Sequence, residues 1–350
     1  MIHLTDSYSE QLSQDTLLEM FWFMLLSRRL DERCWLLHRQ GKIAFHISSI
    51  GHEAMQVAAA FAINRGVDYV FPYYRDLGLS LAIGFTPTEF MLGIFGKGEG
   101  HDSAGRQMPN HFSDKKLNVV SGSSVVATQV PQAAGAAFAI NYRRKVGLVD
   151  PEDTSQPRLA LTCIGEGSTS QGEWHEGLNW AGVHTLPYIC LVQNNQYAIS
   201  QTMDKQMATK TVSERASAYG IEGVTVDGTD VLQVYNAMRD AVERAYRGEG
   251  ATLVEAVGYR MTPHSSDDDD RSYRTREEVD YWRNERDPVT LYQNQLLKEG
   301  ILTPDSLKDM EEKVKAEVEK AHRYAEACPE PAPEDALGDI FAPVEASDIW

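Results

Sequence analysis

Two short groups of residues could do chemistry together: Gly165-Glu166-Gly167 and, further along, Asn194-Asn195. A carboxylate at 166 and an amide oxygen at 195 are hard oxygen donors, the kind Mg²⁺ takes. Mg²⁺ prefers a few protein oxygens, completed by phosphate oxygens and water, to an all-protein cage. Glycines at 165 and 167 would let backbone N–H groups approach a phosphate closely. Taken singly, neither group means much, since paired asparagines usually mark a turn. Their surroundings make the pattern specific. Arg158 to Ile164 is an apolar run that reads as a buried parallel strand. A helix is expected from about Gln171 to His184, with Trp174, Leu178 and Ala181 on one face and Pro187 as its stop. A second buried strand, Tyr188 to Val192, then runs into the asparagines. A strand-helix-strand crossover brings both strand ends to one edge of a parallel sheet, where ligands of such sheets bind.

This order resembles the thiamin-diphosphate motif, a Gly-Asp-Gly followed by paired asparagines. It is most similar to the alpha subunit of the decarboxylating component of 2-oxoacid dehydrogenase complexes, of the pyruvate and branched-chain types. Glu166 replaces the usual aspartate; it keeps the carboxylate and favours the branched-chain type. The likeness runs from about Leu18 to Leu296 through separate motifs in order: Tyr74-Arg75, Gly105 to His111, Ser121 to Gln132, and Tyr259-Arg260 through His264-Ser265 to the aspartates at 267–270.

The resemblance implies Mg²⁺ on Glu166, Asn195 and the carbonyl of Tyr197. It implies thiamin diphosphate on Tyr74, Arg75, Ser124, Gly167 and Ser168. His264 would face the cofactor and manage protons during acyl transfer. Ser123, the Val125 carbonyl, Thr128 and Gln129 match a potassium site of some members, with Val125 where branched-chain members are expected to carry proline. Gln193 stands where an arginine for the diphosphate is expected, which leaves Arg75 more of the phosphate charge. Ser265 matches a serine phosphorylated in mitochondrial relatives, where a phosphate would repel the cofactor and the aspartates. The implied reaction is oxidative decarboxylation of a branched-chain 2-oxoacid, with the acyl unit passed to a lipoyl group on the acyltransferase component. The implied assembly is an α₂β₂ heterotetramer, in which a separate beta subunit supplies the glutamate that activates the cofactor. A pyruvate or acetoin dehydrogenase alpha subunit is the alternative, and a non-catalytic diphosphate-binding regulatory subunit a second.

Outside that resemblance several of these residues have plainer readings. Arg75 at a strand end could be a surface ion-pair partner, His111 is a loop histidine, and His264 after Pro263 in an acidic loop would be solvated. The four aspartates lack the spacing of an EF-hand and read as a solvated, mobile loop that orders on binding.

The elements that must position these residues form a doubly wound α/β pattern: a mostly parallel sheet with helices on both faces, followed by a helical C-terminal arm. Residues 1–15 read as an N-terminal arm, 16–300 as the α/β domain, and 301–350 as a helix and tail. A first helix is expected from about Thr16 to Gln40, capped by Asp15 and closed by Gly41. Its segment Met20 to Leu26 is apolar nearly all round, which suits either a central core helix or a helix buried by another subunit. Further helices are expected at His52 to Ile63, Ala133 to Arg144, Thr211 to Tyr219, Val231 to Arg247 and Pro304 to Ala327. Strands are expected at Tyr69 to Phe71, Val224 to Val226 and Leu253 to Tyr259. Thr86 to Glu89 has the form of a capping box with proline at the first helical position. The last residues, after the stiff Pro329 to Pro333 stretch, read as a short apolar-acidic segment able to pack on a partner.

Bulk properties narrow the classes. The chain has 350 residues, 42% hydrophobic, and a formal net charge of −18. So acidic a surface argues against nucleic acid or an anionic membrane as partner. Cys34, Cys163, Cys190 and Cys328 show no zinc or disulfide spacing; the two in the apolar strands read as buried thiols. The N-terminal stretch has neither a signal-peptide nor a transit-peptide pattern, which points to a cytoplasmic bacterial protein or else a mature organellar form.

Overall fold

A computed structural model of the chain describes residues 8–148 and 157–338. The tail segment expected to pack on a partner lies largely outside the described residues. Before the sheet come α1 (Gln14–Arg39) and α2 (Glu53–Ala62). Then follow β1 (Tyr69–Phe71), α3 (Leu77–Ile83), α4 (Pro87–Phe95), α5 (Gln129–Lys145), β2 (Ala160–Gly165), α6 (Gly172–Val183) and β3 (Tyr188–Asn194). A small antiparallel pair, β4 (Tyr197–Ala198) and β5 (Gln201–Thr202), precedes β6 (Glu222–Asp227), α7 (Val231–Tyr246) and β7 (Thr252–Val257). The chain then turns helical, through α8 (Arg276–Glu285), α9 (Pro288–Lys298) and α10 (Pro304–Ala327).

The main sheet has five parallel strands in the order β1-β2-β3-β7-β6. Its central strands are apolar throughout because both faces are covered. Leu161, Cys163, Ile189 and Leu191 point into the core made with α1, α2 and α7. Ala160, Ile164, Tyr188, Cys190 and Val192 point the other way, against α5 and α6. The side-chain alternation of a strand thus builds two separate cores. Cys163 and Cys190, one on each face, are buried free thiols as the apolar context suggests.

Helix α1 is a central helix of the larger core. Met20, Phe21, Met24, Leu25 and Leu26 are buried within this one chain, so no second subunit is needed to cover them. Its cap is Ser13 rather than Asp15: Ser13 Oγ accepts from the Thr16 N–H at 3.1 Å. Asp15 instead falls in the first turn, where a carboxylate favours the helix dipole. The Thr86 capping box forms as expected, and Glu89 is structural within it. The segment expected to be helical from Thr211 is only a short 3-10 turn, Ser213–Tyr219. Ser213 there gives its N–H to Glu255 and its hydroxyl pairs with Thr225, side-chain bonds that compete with helix formation. Helix α10 buries Val314, Val318, Ala321 and Ala325 in the larger core and turns its charged residues outward.

Candidate active site

The carboxyl ends of β1, β2 and β3, and the chain after β7, meet around a cavity of about 380 Å³, within the range of small-molecule sites. Each of these ends delivers the residues singled out above. Tyr74 and Arg75 follow β1, Glu166 to Ser168 follow β2, Asn195 and Tyr197 follow β3, and His264 follows β7; Ser124, from the loop before α5, closes one side. All of the residues expected to bind Mg²⁺ or the diphosphate therefore line one cavity.

Glu166 is buried, and its two oxygens do different things. Oε2 accepts from the Asn195 N–H at 3.0 Å, while Oε1 has no partner. Burial pushes its carboxyl above the usual range, against the pull of the Asn195 N–H and of the Arg260 and Arg75 charges. A buried carboxylate oxygen without a partner is unfavourable unless a cation or donor meets it. Asn195 Oδ1 accepts from the Tyr197 N–H at 3.2 Å, which turns the amide Nδ2 toward His52 Nε2, also at 3.2 Å. The Tyr197 carbonyl accepts from Arg260 at 3.1 Å and keeps a second lone pair. Among the described residues no group of three or more His, Cys, Asp and Glu side chains could hold a metal. The donor set here is different: one carboxylate, one amide and one carbonyl, all oxygen, which suits Mg²⁺ and not a softer metal.

Two buried guanidiniums lie near this oxygen set, Arg75 in the cavity lining and Arg260 behind the Tyr197 carbonyl. Arg75 bonds the Ser48 carbonyl and reaches Nδ1 and the carbonyl of His264 at 3.4 and 3.3 Å. Arg260 spreads over the carbonyls of Tyr197, Ile199 and Thr262 and the hydroxyl of Tyr273. Neither forms a salt bridge with a described carboxylate. Their bonds to neutral oxygens fix their geometry, and only the longer-range charge of Glu166 opposes them, which leaves positive charge for an anion to meet. The resulting field acts on the nearby imidazoles. Burial, then Arg75 and Arg260, push His264 down to about 4. The same causes push the fully buried His52 down to about 3. With Nδ1 facing an Arg75 N–H, His264 carries its proton on Nε2.

Gly167 has a structural reason to be glycine. A Cβ there would stand 2.4 Å from the Cβ of Ala198, so the residue lets β4 pass close to the end of β2. Ser124 Oγ pairs with His111 Nε2 at 2.8 Å, and His111 Nδ1 faces the Met108 carbonyl at 2.9 Å. His111 thus holds Ser124, a link that loop composition alone does not reveal. Ser123, Val125, Thr128 and Gln129 lie in the same turn. There the Ser123 hydroxyl accepts from the Val125 N–H, and Gln129 Nε2 donates to the Cys163 carbonyl at 2.9 Å.

Gln193 does not line the cavity. It lies fully buried beneath it, accepting from Gln56 Nε2 at 3.0 Å and donating to Asp76. Gln56 also donates to the Arg75 carbonyl at 2.8 Å. The residue thus holds the Tyr73-Tyr74-Arg75 turn from below. Burial pushes Asp76, in the same network, up to about 7. The acidic loop after His264 is more tied down than its composition suggests. Asp268 accepts from the His264 N–H at 2.8 Å, and Asp269 and Asp270 pair with Arg271 and Arg274. Ser265, beside His264, is buried. His52, Arg260, Gln56 and His111 are the residues the motif reading left without a role.

Residues 22–334 match the family described as dehydrogenase E1 component. The chain is 49% identical over 331 residues to the 2-oxoisovalerate dehydrogenase subunit alpha of Bacillus subtilis, covering 95% of this chain and 97% of that one. It is 33% identical to the mitochondrial 2-oxoisovalerate dehydrogenase subunit alpha 2 of Arabidopsis thaliana, over 97% of this chain and 69% of the relative. It is 36% identical to a Staphylococcus aureus pyruvate dehydrogenase E1 component subunit alpha, over 90% of this chain and 79% of the relative.

Proposed function

The chain belongs to the dehydrogenase E1 component family, and from that premise we propose that it is the alpha subunit of a branched-chain 2-oxoacid dehydrogenase. It takes part in oxidative decarboxylation of the 2-oxoacid and transfer of the acyl unit to a lipoyl group on an acyltransferase component. The greater identity to the 2-oxoisovalerate than to the pyruvate subunits supports the branched-chain substrate. Thiamin diphosphate, when bound, supplies the carbanion chemistry, and the protein supplies position and electrostatics.

The observation that carries the site reading is the unpartnered Glu166 Oε1, in one cavity with Asn195, Tyr197 and an Arg75 guanidinium that has no carboxylate bonded to it. Glu166, Asn195 and Tyr197 would hold Mg²⁺. Arg75, with Tyr74, Ser124, Gly167 and Ser168, would hold the diphosphate. Burial contributes most to the depressed pKa of His264, and an anion beside Arg75 would offset the next contribution, moving the pKa upward. His264 then serves as a proton donor and acceptor near the transferred group. The turn from Ser123 to Gln129 would hold K⁺ through hydroxyl, carbonyl and amide oxygens.

Glu166 is the one carboxylate lining the cavity among the described residues, and the metal claims it. This supports the family expectation that the glutamate activating the cofactor comes from a beta subunit, in an α₂β₂ assembly with sites between subunits. Val125 and Ile199, large apolar residues beside the cavity, are exposed in the single chain, which supports a covering partner. No helix among the described residues is long and apolar enough to cross a membrane, and the cytoplasm is the proposed location.

The test is turnover of 3-methyl-2-oxobutanoate, pyruvate and acetoin by the chain co-expressed with a beta subunit, and by the chain alone. The expected result is activity of the complex only, greatest on the branched-chain acid. Full activity of the isolated chain overturns the shared site, and preference for pyruvate or acetoin overturns the substrate.

A further inference from the structure

His52 begins α2 beneath the cavity and is fully buried, yet nothing in the reaction itself requires a histidine there. Its contact with Asn195 has one consistent hydrogen-bonding pattern. The Tyr197 N–H can only donate, so the Asn195 atom facing it must be the amide oxygen. The amide nitrogen then faces His52 Nε2, and an NH₂ group can only donate. Nε2 must therefore be the bare nitrogen, with the ring proton on Nδ1, a buried nitrogen that has no hydrogen-bond partner among the described residues. The Asn195 amide is thus gripped at both ends, by a backbone donor on its oxygen and a ring acceptor on its nitrogen.

We propose that His52 is a positioning residue that locks the Asn195 amide with its oxygen toward the metal position. The inference rests on the reading of Glu166, Asn195 and Tyr197 as the Mg²⁺ site. An amide turned by half a rotation would present its NH₂ group to the cation and to the Tyr197 N–H together. With the Nε2 acceptor gone, a single backbone bond holds the oxygen in place. Groups that orient metal ligands in this way typically change metal affinity by roughly 10- to 100-fold when removed.

The experiment uses the complex assembled with a beta subunit. Mg²⁺ affinity is measured by calorimetry at saturating thiamin diphosphate, and the melting temperature of the metal-free complex is recorded alongside. His52→Leu removes the acceptor and is expected to weaken Mg²⁺ binding roughly 10- to 100-fold. His52→Gln, whose Oε1 can accept from the Asn195 amide, is expected to restore it to within a few-fold. A merely structural role would lower melting temperature without separating the two variants in affinity. If His52→Leu does not assemble, His52→Met, close in volume and a poor acceptor, replaces it. Unchanged Mg²⁺ affinity in the Leu or Met variant, or a Gln variant no better than it, overturns the proposal. Glu166→Gln separates the two levels. If it too binds Mg²⁺ normally, the metal site itself is misplaced; if it alone loses affinity, only the role of His52 fails.

Discussion

Gly167→Ala is a test of how tightly the site is built. The new Cβ would stand 2.4 Å from the Cβ of Ala198 and 3.0 Å from its Cα, about 1 Å inside ordinary contact for the nearer pair. Ala198 belongs to β4 and directly follows Tyr197, whose carbonyl is one of the three metal oxygens. Relief of the clash must therefore displace either the Glu166-Gly167-Ser168 turn or the Tyr197 carbonyl. Overpacking of this kind costs about 1–3 kcal/mol of stability, and misplacing a catalytic constellation by about 1 Å costs on the order of 100-fold in rate. The assay is calorimetric binding of thiamin diphosphate with Mg²⁺ to the assembled complex, with thermal melting in parallel. The expected result is weaker cofactor binding and a modest fall in melting temperature. Ala198→Gly in the same chain removes the nearer clash and should recover part of the affinity, because the 3.0 Å approach to Cα remains. Wild-type affinity in Gly167→Ala would refute the close-packing argument. Absence of any recovery in the double variant would show that the loss has another cause.

Two further outcomes follow from named contacts. The His264 imidazole is held near pKa 4, below its ordinary value of 6.5, so the unfolded chain binds the extra proton first as pH falls. Stability of the cofactor-free protein should drop from about pH 6.5 to 4, and His264→Gln should reduce that drop in unfolding free energy, read from denaturant melts across the range, by on the order of 1–3 kcal/mol, allowing for solvent at the ring; an unchanged slope refutes the neutral-histidine reading. Asp287 binds Arg28 through both oxygens at 2.8 and 3.0 Å and caps α9, so Asp287→Ala should destabilise by about 3–5 kcal/mol in denaturant melts, less to the extent that Glu53 still compensates the guanidinium.

The part of the fold that carries the metal was legible because its signals are local. The apolar runs before Gly165 and Asn194 became β2 and β3, and the Trp174-Leu178-Ala181 face became the buried face of α6. The boundaries of α10, at Pro304 and Ala327, also stand as expected. What was not legible depends on contacts between residues far apart in the chain. Gln193 and Gln56 meet to hold the Arg75 turn, although neither has a composition signal. His52 reaches Asn195 from the start of α2, and His111 reaches Ser124 across a loop. Gln193 stands where an arginine for the diphosphate was expected. Its side chain instead follows the strand alternation and points to the α2 side, below the cavity. The cap at Ser13 is a local competition between side-chain hydrogen bonds, which propensity does not resolve, whereas the short turn at Ser213 is tied to Glu255 and Thr225, again distant in the chain.

The distribution of charge in the cavity explains why a site should be so completely built in one chain and yet incomplete. Arg75 and Arg260 are buried with carbonyls and hydroxyls around them but no carboxylate in direct contact among the described residues. Uncompensated buried charge destabilises a fold. Arg75 lines the cavity that a diphosphate would fill, so an incoming anion would relieve its share of that cost. The guanidiniums are already oriented by fixed carbonyls, so little reorganisation is left for the binding step. Glu166 reverses the sign at one point of the same cavity, with one oxygen committed to the Asn195 N–H and the other free for a cation. A ligand that is anionic along its length and carries a divalent cation at that point answers both features, whereas a simple anion answers only the first. Discrimination between them should therefore reside in Glu166: inorganic pyrophosphate should gain affinity from Mg²⁺ in the wild-type protein and lose that gain in Glu166→Gln.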